Sequence, residues 1–117
     1  MTIKIVNKLG DILIDKNVIA KLAGVSAMEC YGLVGMVSKN ATTGLVKLLK
    51  NEHLNKGVEI ETEEDGIIID LYVIIQFGTK ISVVAENIIG QVKFNVEKQT
   101  GLKVKKVNLN IEGVKTK

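Results

Sequence analysis

The acidic residues between positions 59 and 65 are the densest group of side chains in the sequence that could do chemistry. The group consists of Glu59, Glu61, Glu63, Glu64 and Asp65. Carboxylates ligate calcium and magnesium, so one hypothesis is a small enzyme with an acidic metal site. Three of the glutamates, however, alternate with Val58, Ile60 and Thr62, which is the pattern of a strand with one wet face. We therefore interpret the cluster as a solvated strand face whose charge opposes edge-to-edge aggregation.

His53 and Cys30 are the single histidine and the single cysteine of the sequence. Neither has a partner at a recognisable catalytic spacing, although a general base needs a group within hydrogen-bond reach. One histidine and one cysteine also cannot fill a structural zinc site. We expect His53 on the surface and Cys30 as a small buried apolar residue. The sequence thus predicts no catalytic, cofactor-binding or metal-binding residues and no small-molecule substrate.

The run Gly32-Leu33-Val34-Gly35 matches the bare GxxG pattern of the RNA-binding KH domains, and the net charge of +3 agrees with that match. Its middle positions are apolar, and its surroundings favour a strand rather than the loop that a KH domain needs. All sixteen basic residues are lysines, so the bidentate contacts that arginine makes with phosphate and guanine are missing. A KH-like nucleic-acid-binding module therefore stays as the alternative hypothesis, and we expect no nucleic-acid partner.

Lysines near the C-terminal end could meet phosphates or anionic lipid, although a solvated strand edge explains them equally well. They are Lys103, Lys105, Lys106, Lys115 and Lys117.

The length of 117 residues predicts a single domain over residues 1–117. Hydrophobic residues make up 46% and aromatic residues 3%, which indicates a core of Ile, Val and Leu. A single cysteine is consistent with a reducing compartment. The apolar runs are shorter than a bilayer-spanning helix, which needs about 20 residues. We expect a cytoplasmic protein, with any membrane association peripheral.

The stretch of residues 56–111 organises the predicted fold. A strand at 58–63 and a turn at Glu64-Asp65-Gly66 lead into a second strand with an apolar period of two. Its inward residues are Ile67, Ile69, Leu71, Val73, Ile75 and Phe77. A helix with Thr79 as its N-cap follows, and Gly101 ends it. Its apolar stripe is Ile81, Ala85, Ile88, Val92 and Val96. A last strand over 102–111, with a bulge near Lys105-Lys106, closes the stretch.

Shorter signals cover the first half of the chain. Residues 2–14 predict a strand or hairpin with a turn at Gly10, and Asp15 is a good N-cap for the next helix. That helix should end near Cys30 and bury the stripe of Val18, Leu22 and Val25, with Ile19 and Ala23 beside it. Gly24 should permit a close approach to the sheet. We expect a strand within 31–38 and a loose end from 114 onward. Between them, the short stripe of Leu45, Leu48 and Leu49 predicts a small helix or a mobile basic connection that ends before Gly57.

The resulting order is β-α-β-(short α)-β-β-α-β. This order predicts an α+β fold, a two-layer sandwich in which two main helices cover one face of a mixed β-sheet of four to five strands. If the strands on either side of the second helix are parallel, their connection should be a right-handed crossover.

Four pieces of sequence occur in a fixed order and together cover nearly the whole chain. They are residues 10–15 with Val18-Ile19, residues 31–36, residues 57–78, and residues 88–96 with 100–102 and 107–114. In order and spacing they resemble the alkaline shock protein family, the envelope stress response proteins of Gram-positive bacteria.

The resemblance implies a small, cytoplasmic, non-enzymatic protein with no catalytic residues to carry over. It also implies self-association and a small membrane-anchored partner protein that places the chain at the inner face of the cell membrane. A contribution to the general stress response and cell-envelope homeostasis is implied as well. The leading hypothesis is therefore a self-associating scaffold or interaction module.

Overall fold

The computed structural model describes residues 2–38, 48–49 and 51–116. The elements, in chain order, are β1 (Thr2–Asn7), β2 (Gly10–Asp15), α1 (Lys16–Met28), β3 (Leu33–Met36), a 3-10 helix (Asn51–Gly57), β4 (Val58–Glu63), β5 (Gly66–Gln76), α2 (Ile81–Thr100) and β6 (Val104–Lys115). The predicted α+β sandwich is confirmed, with a four-stranded mixed sheet and a separate N-terminal hairpin.

Strand β5 is the centre of the mixed sheet. β6 runs parallel along one edge of it from Ile67 to Gln76. The antiparallel strands β4 and β3 must therefore share the other edge, one after the other. Alternate side chains of β5 are buried beneath the helices, as the period of two predicts. They are Ile67, Ile69, Leu71, Val73 and Ile75, whereas Phe77 lies beyond the strand and is exposed.

The turns and the last strand follow the sequence signals closely. Glu63 pairs with Gly66 across a two-residue turn, and Lys105 is the extra residue at the predicted bulge in β6. Gly101 ends α2 with a φ of 76°, a left-handed conformation that glycine adopts without strain. The expected loose end is wrong, because β6 continues to Lys115, whose carbonyl accepts a 2.9 Å bond from the Phe77 amide.

Helix α2 buries most of the predicted stripe, although its start differs. Val84, Ile88, Val92 and Val96 are the buried residues of the helix, and Ile81 is exposed. The helix begins at Ile81 with Lys80 in the N-cap position and no side-chain cap. The Thr79 hydroxyl instead donates a 2.7 Å bond to the carbonyl of Gln76, so it closes the preceding turn.

Helix α1 confirms only part of the predicted burial. Asp15 caps it as expected by accepting a 2.8 Å bond from the amide of Asn17, and the helix ends at Met28, near Cys30 as predicted. The buried residues are mostly small: Ile19, Ala20, Ala23, Gly24, Ser26 and Ala27. Val18 and Val25 are exposed. Small side chains let neighbouring backbones approach, so the buried face is narrow and flat.

The close approach predicted for Gly24 exists, but its neighbour is the 3-10 helix rather than the sheet. A Cβ atom added at Gly24 would lie 3.0 Å from the Cβ atom of Leu54. The short helix expected around residues 45–49 falls mostly outside the described residues. Leu48 itself forms an extended bridge with Val37, and the short helix comes later, at Asn51–Gly57.

Strands β1 and β2 form a two-stranded sheet of their own. The register is antiparallel, with Asn7 opposite Gly10 across a two-residue turn. Ile3 belongs to the core, and Ile14 packs against it. These two residues attach the base of the hairpin to the rest of the domain.

Candidate interaction surface

Of the acidic cluster, Glu59, Glu61 and Glu63 lie on the face of β4 opposite the buried Val58 and Ile60, and Glu64 and Asp65 form the turn that follows. Lys105 Nζ sits within the cluster, 2.8 Å from Glu63 Oε1 and 3.0 Å from Asp65 Oδ1. The hydrogen bond from Lys105 holds the pKa of the Asp65 carboxyl below its usual range, and the two carboxylates raise the pKa of Lys105. Among the described residues, no three His, Cys, Asp or Glu side chains are placed to hold a metal ion. The glutamates thus belong to a wet strand face that a lysine partly neutralises.

His53 is exposed within the 3-10 helix, as expected. Cys30 is half-buried, and its Sγ lies 3.6 Å from the carbonyl oxygen of Ser26. Burial, assisted by the neighbouring Glu29 carboxylate, raises the pKa of the Cys30 thiol. Because the thiolate is the reactive form, this environment makes the thiol a poor nucleophile.

The GxxG run does not form the loop that a KH domain uses. Leu33, Val34 and Gly35 lie in β3, and the Gly32 carbonyl accepts a 2.9 Å bond from the amide of Gln76. The C-terminal lysines are exposed along β6 and just before it, apart from Lys117, which is outside the described residues.

The outer face of α1 carries an apolar groove. Val18, Leu22 and Val25 recur at i, i+4 and i+7, and Val18 and Val25 are 53% and 43% exposed. With Asn17, Lys21 and Asn55 they line a groove of about 560 Å³. α1 contains two lysines and no carboxylate, so the rim of the groove is polar and basic.

Sequence reasoning assigned this stripe to the core because amphipathic helices usually bury their large apolar side chains. The signal that could have corrected the assignment was present on the opposite face. Ala20, Ala23 and Ala27 form a second stripe whose small side chains suit close packing. The choice between the two stripes depends on what α1 packs against, which is a tertiary property.

Helix α2 packs beside α1. Asn95 Nδ2 donates a 2.7 Å bond to Ser26 Oγ, and Ser26 Oγ donates a 3.3 Å bond to the carbonyl of Gln91. These bonds hold the two helices side by side. Phe94 of α2 is exposed, with the Lys98 ammonium 5.7 Å from its ring centroid.

The N-terminal hairpin is the second apolar surface. Beyond its base, Leu9 is 99% exposed, Val6 75% and Leu13 65%. Ile12 also faces solvent. Sequence reasoning predicted the strands here, but not that their apolar side chains would extend beyond the core.

Fold and surface together define a small α+β sandwich domain that presents an apolar helix groove and an apolar hairpin. No helix among the described residues is both long and apolar enough to cross a membrane. The chain belongs to the alkaline shock protein 23 family, described as having a cell envelope-related function, whose sequence model matches residues 4–116.

Relatives in Gram-positive bacteria support this assignment. The Bacillus subtilis (strain 168) protein named uncharacterized protein YloU is 44% identical over 116 residues, which is 98% of this chain and 97% of the relative. Uncharacterized protein Spy1614 of Streptococcus pyogenes serotype M6 is 42% identical over 98% of this chain and 96% of its own length.

A more distant relative carries a functional name. The stress response regulator gls24 homolog of Streptococcus pyogenes serotype M3 is 26% identical over 92% of this chain and 60% of its own length. These matches confirm the resemblance to the alkaline shock and stress response proteins. No solved structure matches the chain.

Proposed function

We propose that this chain is a non-enzymatic interaction module that self-associates and serves a stress response linked to the cell envelope. The observation that carries the proposal is the exposure of large apolar side chains on α1 and on the hairpin. Contiguous exposed apolar surface commonly marks an interaction site, because burying it in an interface is favourable by about 25 cal/mol per Å². The family description and the name of the gls24 relative support the link to the envelope and to stress.

The chemistry of the groove indicates the kind of partner that it would take. The i, i+4, i+7 stripe of Val18, Leu22 and Val25 suits an amphipathic helix laid along α1. Lys16 and Lys21 belong to the same helix, and a partner helix flanked by carboxylates would complement them. We assign this groove to a small membrane-anchored partner protein that would hold the cytoplasmic domain at the inner face of the membrane.

Two features support a function without catalysis. The acidic cluster already holds the ammonium group of Lys105 between Glu63 and Asp65. The Cys30 thiol, for its part, has a raised pKa, which opposes nucleophilic chemistry.

Sedimentation of the purified chain over a wide concentration range tests self-association. We expect the weight-average mass to rise with concentration as apolar surfaces become buried. A mass that stays at the monomer value throughout would contradict this part of the proposal.

Replacing the wild-type protein with a groove variant in its native cell tests whether the groove binds a membrane-anchored partner. Val18→Asp combined with Val25→Asp places two carboxylates in the stripe, and we expect the domain to leave the membrane fraction and the cell to become sensitive to envelope stress. Val83→Asp is the matched control, because Val83 is similarly exposed but lies in the first turn of α2. Equal behaviour of the two variants, both folded by circular dichroism, would exclude the groove as the docking surface.

A further inference from the structure

We propose that strand β1 of one copy pairs antiparallel with β1 of a second copy about a two-fold axis at Ile5. This inference rests on the proposed self-association and specifies its surface. A hairpin of two strands is at best marginally stable in water, whereas three or more strands with an apolar face are stable. Pairing two hairpins through β1 would convert two marginally stable two-stranded sheets into one four-stranded sheet.

β1 is the least protected sheet edge in the described part of the chain. Three of the other edge strands carry charges that discourage pairing: β6 has Lys105 and Lys106, β4 has Glu59, Glu61 and Glu63, and β2 has Asp11 and Asp15. β3 carries no charge, but its Met36 carbonyl already accepts a 2.8 Å bond from the Leu49 amide. The single charged residue of β1 is Lys4, whose ammonium lies 3.2 Å from Asp11 within the hairpin. No uncompensated charge therefore opposes a second strand at this edge.

Symmetry selects the register. A two-fold axis between neighbouring antiparallel strands is perpendicular to the sheet, so each residue must face one of the same parity. An axis at Lys4 would place two lysines opposite each other, which is unfavourable. An axis at Ile5 places Ile5 opposite Ile5, Lys4 opposite Val6 and Ile3 opposite Asn7. The aliphatic stem of Lys4 then covers Val6, which is exposed in the single copy.

The same register would extend the apolar surface that begins in the core of each copy. Ile3 pairs with Ile14 and Ile5 with Ile12, so all four isoleucines share one face of the hairpin. Ile3 and Ile14 already pack in the core. In the paired sheet, the two copies of Ile5 would join the two isoleucine faces into one apolar strip.

The hairpin tip of the second copy meets a complementary surface. Because Asn7 of one copy lies opposite Ile3 of the other, the tip residues Lys8 and Leu9 extend past Ile3 toward the base of β1. A groove of about 370 Å³ lies there, and Glu63, Glu64 and Leu102 are among its lining residues. Lys8 would contact the carboxylates of Glu63 and Glu64, and Leu9 would contact Leu102. The tip and the groove are therefore complementary in charge and in apolar character.

A disulfide cross-link tests the register. In a Cys30→Ala background, we expect Ile5→Cys to give a covalent dimer under mild oxidation. Opposed residues of antiparallel strands have Cα atoms about 4.5–5.5 Å apart, within the range of a disulfide. Leu13→Cys is the matched control on the same hairpin: it is exposed, but its two copies would be three strand spacings apart, about 14 Å. Absence of the Ile5→Cys dimer, or equal yields from both positions, would overturn the proposal.

A charge exchange tests the tip contact with exposed residues alone. We expect Lys8→Glu and Glu64→Lys each to shift the sedimentation profile toward monomer, and the double variant to restore the wild-type profile. If the wild type self-associates and all three variants match it, the β1 interface is wrong and self-association stands. If the wild type is monomeric throughout, both proposals fail.

Discussion

Ser26 explains how a helix with almost no large inward side chains is held in place. It is the one buried polar side chain among the described residues, 3% exposed, and its hydroxyl bonds to both Asn95 and Gln91 of α2. A small hydroxyl permits the close helix approach that Ala23 and Ala27 also permit, and the paired bonds offset its desolvation. Orientation of α1, and with it the outward direction of Val18 and Val25, therefore depends on a polar contact.

Asn95→Ala should lower the free energy of unfolding by about 1 kcal/mol, since one partly buried hydrogen bond to Ser26 is lost. Ser26→Ala should cost less in the Asn95→Ala background than in the wild type, because the two residues share that bond. Urea unfolding of the four proteins of this double-mutant cycle measures the coupling. Additive effects would mean that the Ser26–Asn95 contact contributes nothing to stability.

The Asp65–Lys105 pair makes a prediction about pH. The pKa of Asp65 is lowered, so its contribution to stability is complete above its ordinary pKa and is lost as the pH falls through the folded value. The pKa of Lys105 is raised, so its contribution is complete below its ordinary pKa and is lost as the pH rises through the folded value. Both side chains are partly exposed, so the effect on stability should be small and should weaken with salt.

Lys105→Met should bring the pKa of Asp65 back toward its ordinary range, because the main cause of the shift is removed. An NMR titration of the Asp65 carboxyl carbon measures the change. Lys106→Met is the control, since Lys106 is exposed and lies one residue further along β6. An Asp65 pKa that is unaffected by Lys105→Met would show that the ion pair does not form in solution.

At the scale of elements, the sequence predicted the strands, helices and turns that depend only on neighbouring residues. The β4–β5 hairpin follows from strict alternation and a turn sequence, and α2 follows from a long apolar stripe that ends at Gly101. The face that α1 buries was predicted only in part, because its stripe of large side chains and its stripe of small side chains are both consistent with a helix. The groove, which is the main candidate site, lies on the stripe that sequence reasoning placed in the core.

Two helix glycines should respond in opposite directions to alanine. Gly90→Ala should raise the free energy of unfolding by about 0.5–1 kcal/mol, because an added Cβ meets no atom within 4 Å and alanine favours the helix. Gly24→Ala should lower it by about 1 kcal/mol, since the added Cβ lies 3.0 Å from Leu54 Cβ and the overpacking outweighs the helix preference. Urea unfolding compares the two variants directly. Stabilisation by both would contradict the close packing of α1 on the 3-10 helix.

At the scale of the whole molecule, the domain combines a buried core with a hairpin that contacts this core only through its base. Ile3 and Ile14 anchor the hairpin, while Val6, Leu9, Ile12 and Leu13 are exposed. The sequence could not reveal this division, since apolar strand residues have the same pattern whether another layer covers them or not. The hairpin strands β1 and β2, which have the fewest side chains in the core, are therefore available for contact with a second chain.

Hydrogen exchange should resolve this division as a function of concentration. In dilute protein, we expect the β1 amides to exchange much faster than those of β5, because a two-stranded hairpin can open without exposing the core. In concentrated protein, pairing through β1 should slow exchange at residues 3–7, while β5 amides, which already report global unfolding, change little. Lys8→Glu should keep the β1 amides in fast exchange at both concentrations, because it removes the charge match at the tip. Slow exchange of β1 in dilute wild type would mean that the hairpin is stable alone, and the physical reason for a second copy would be lost.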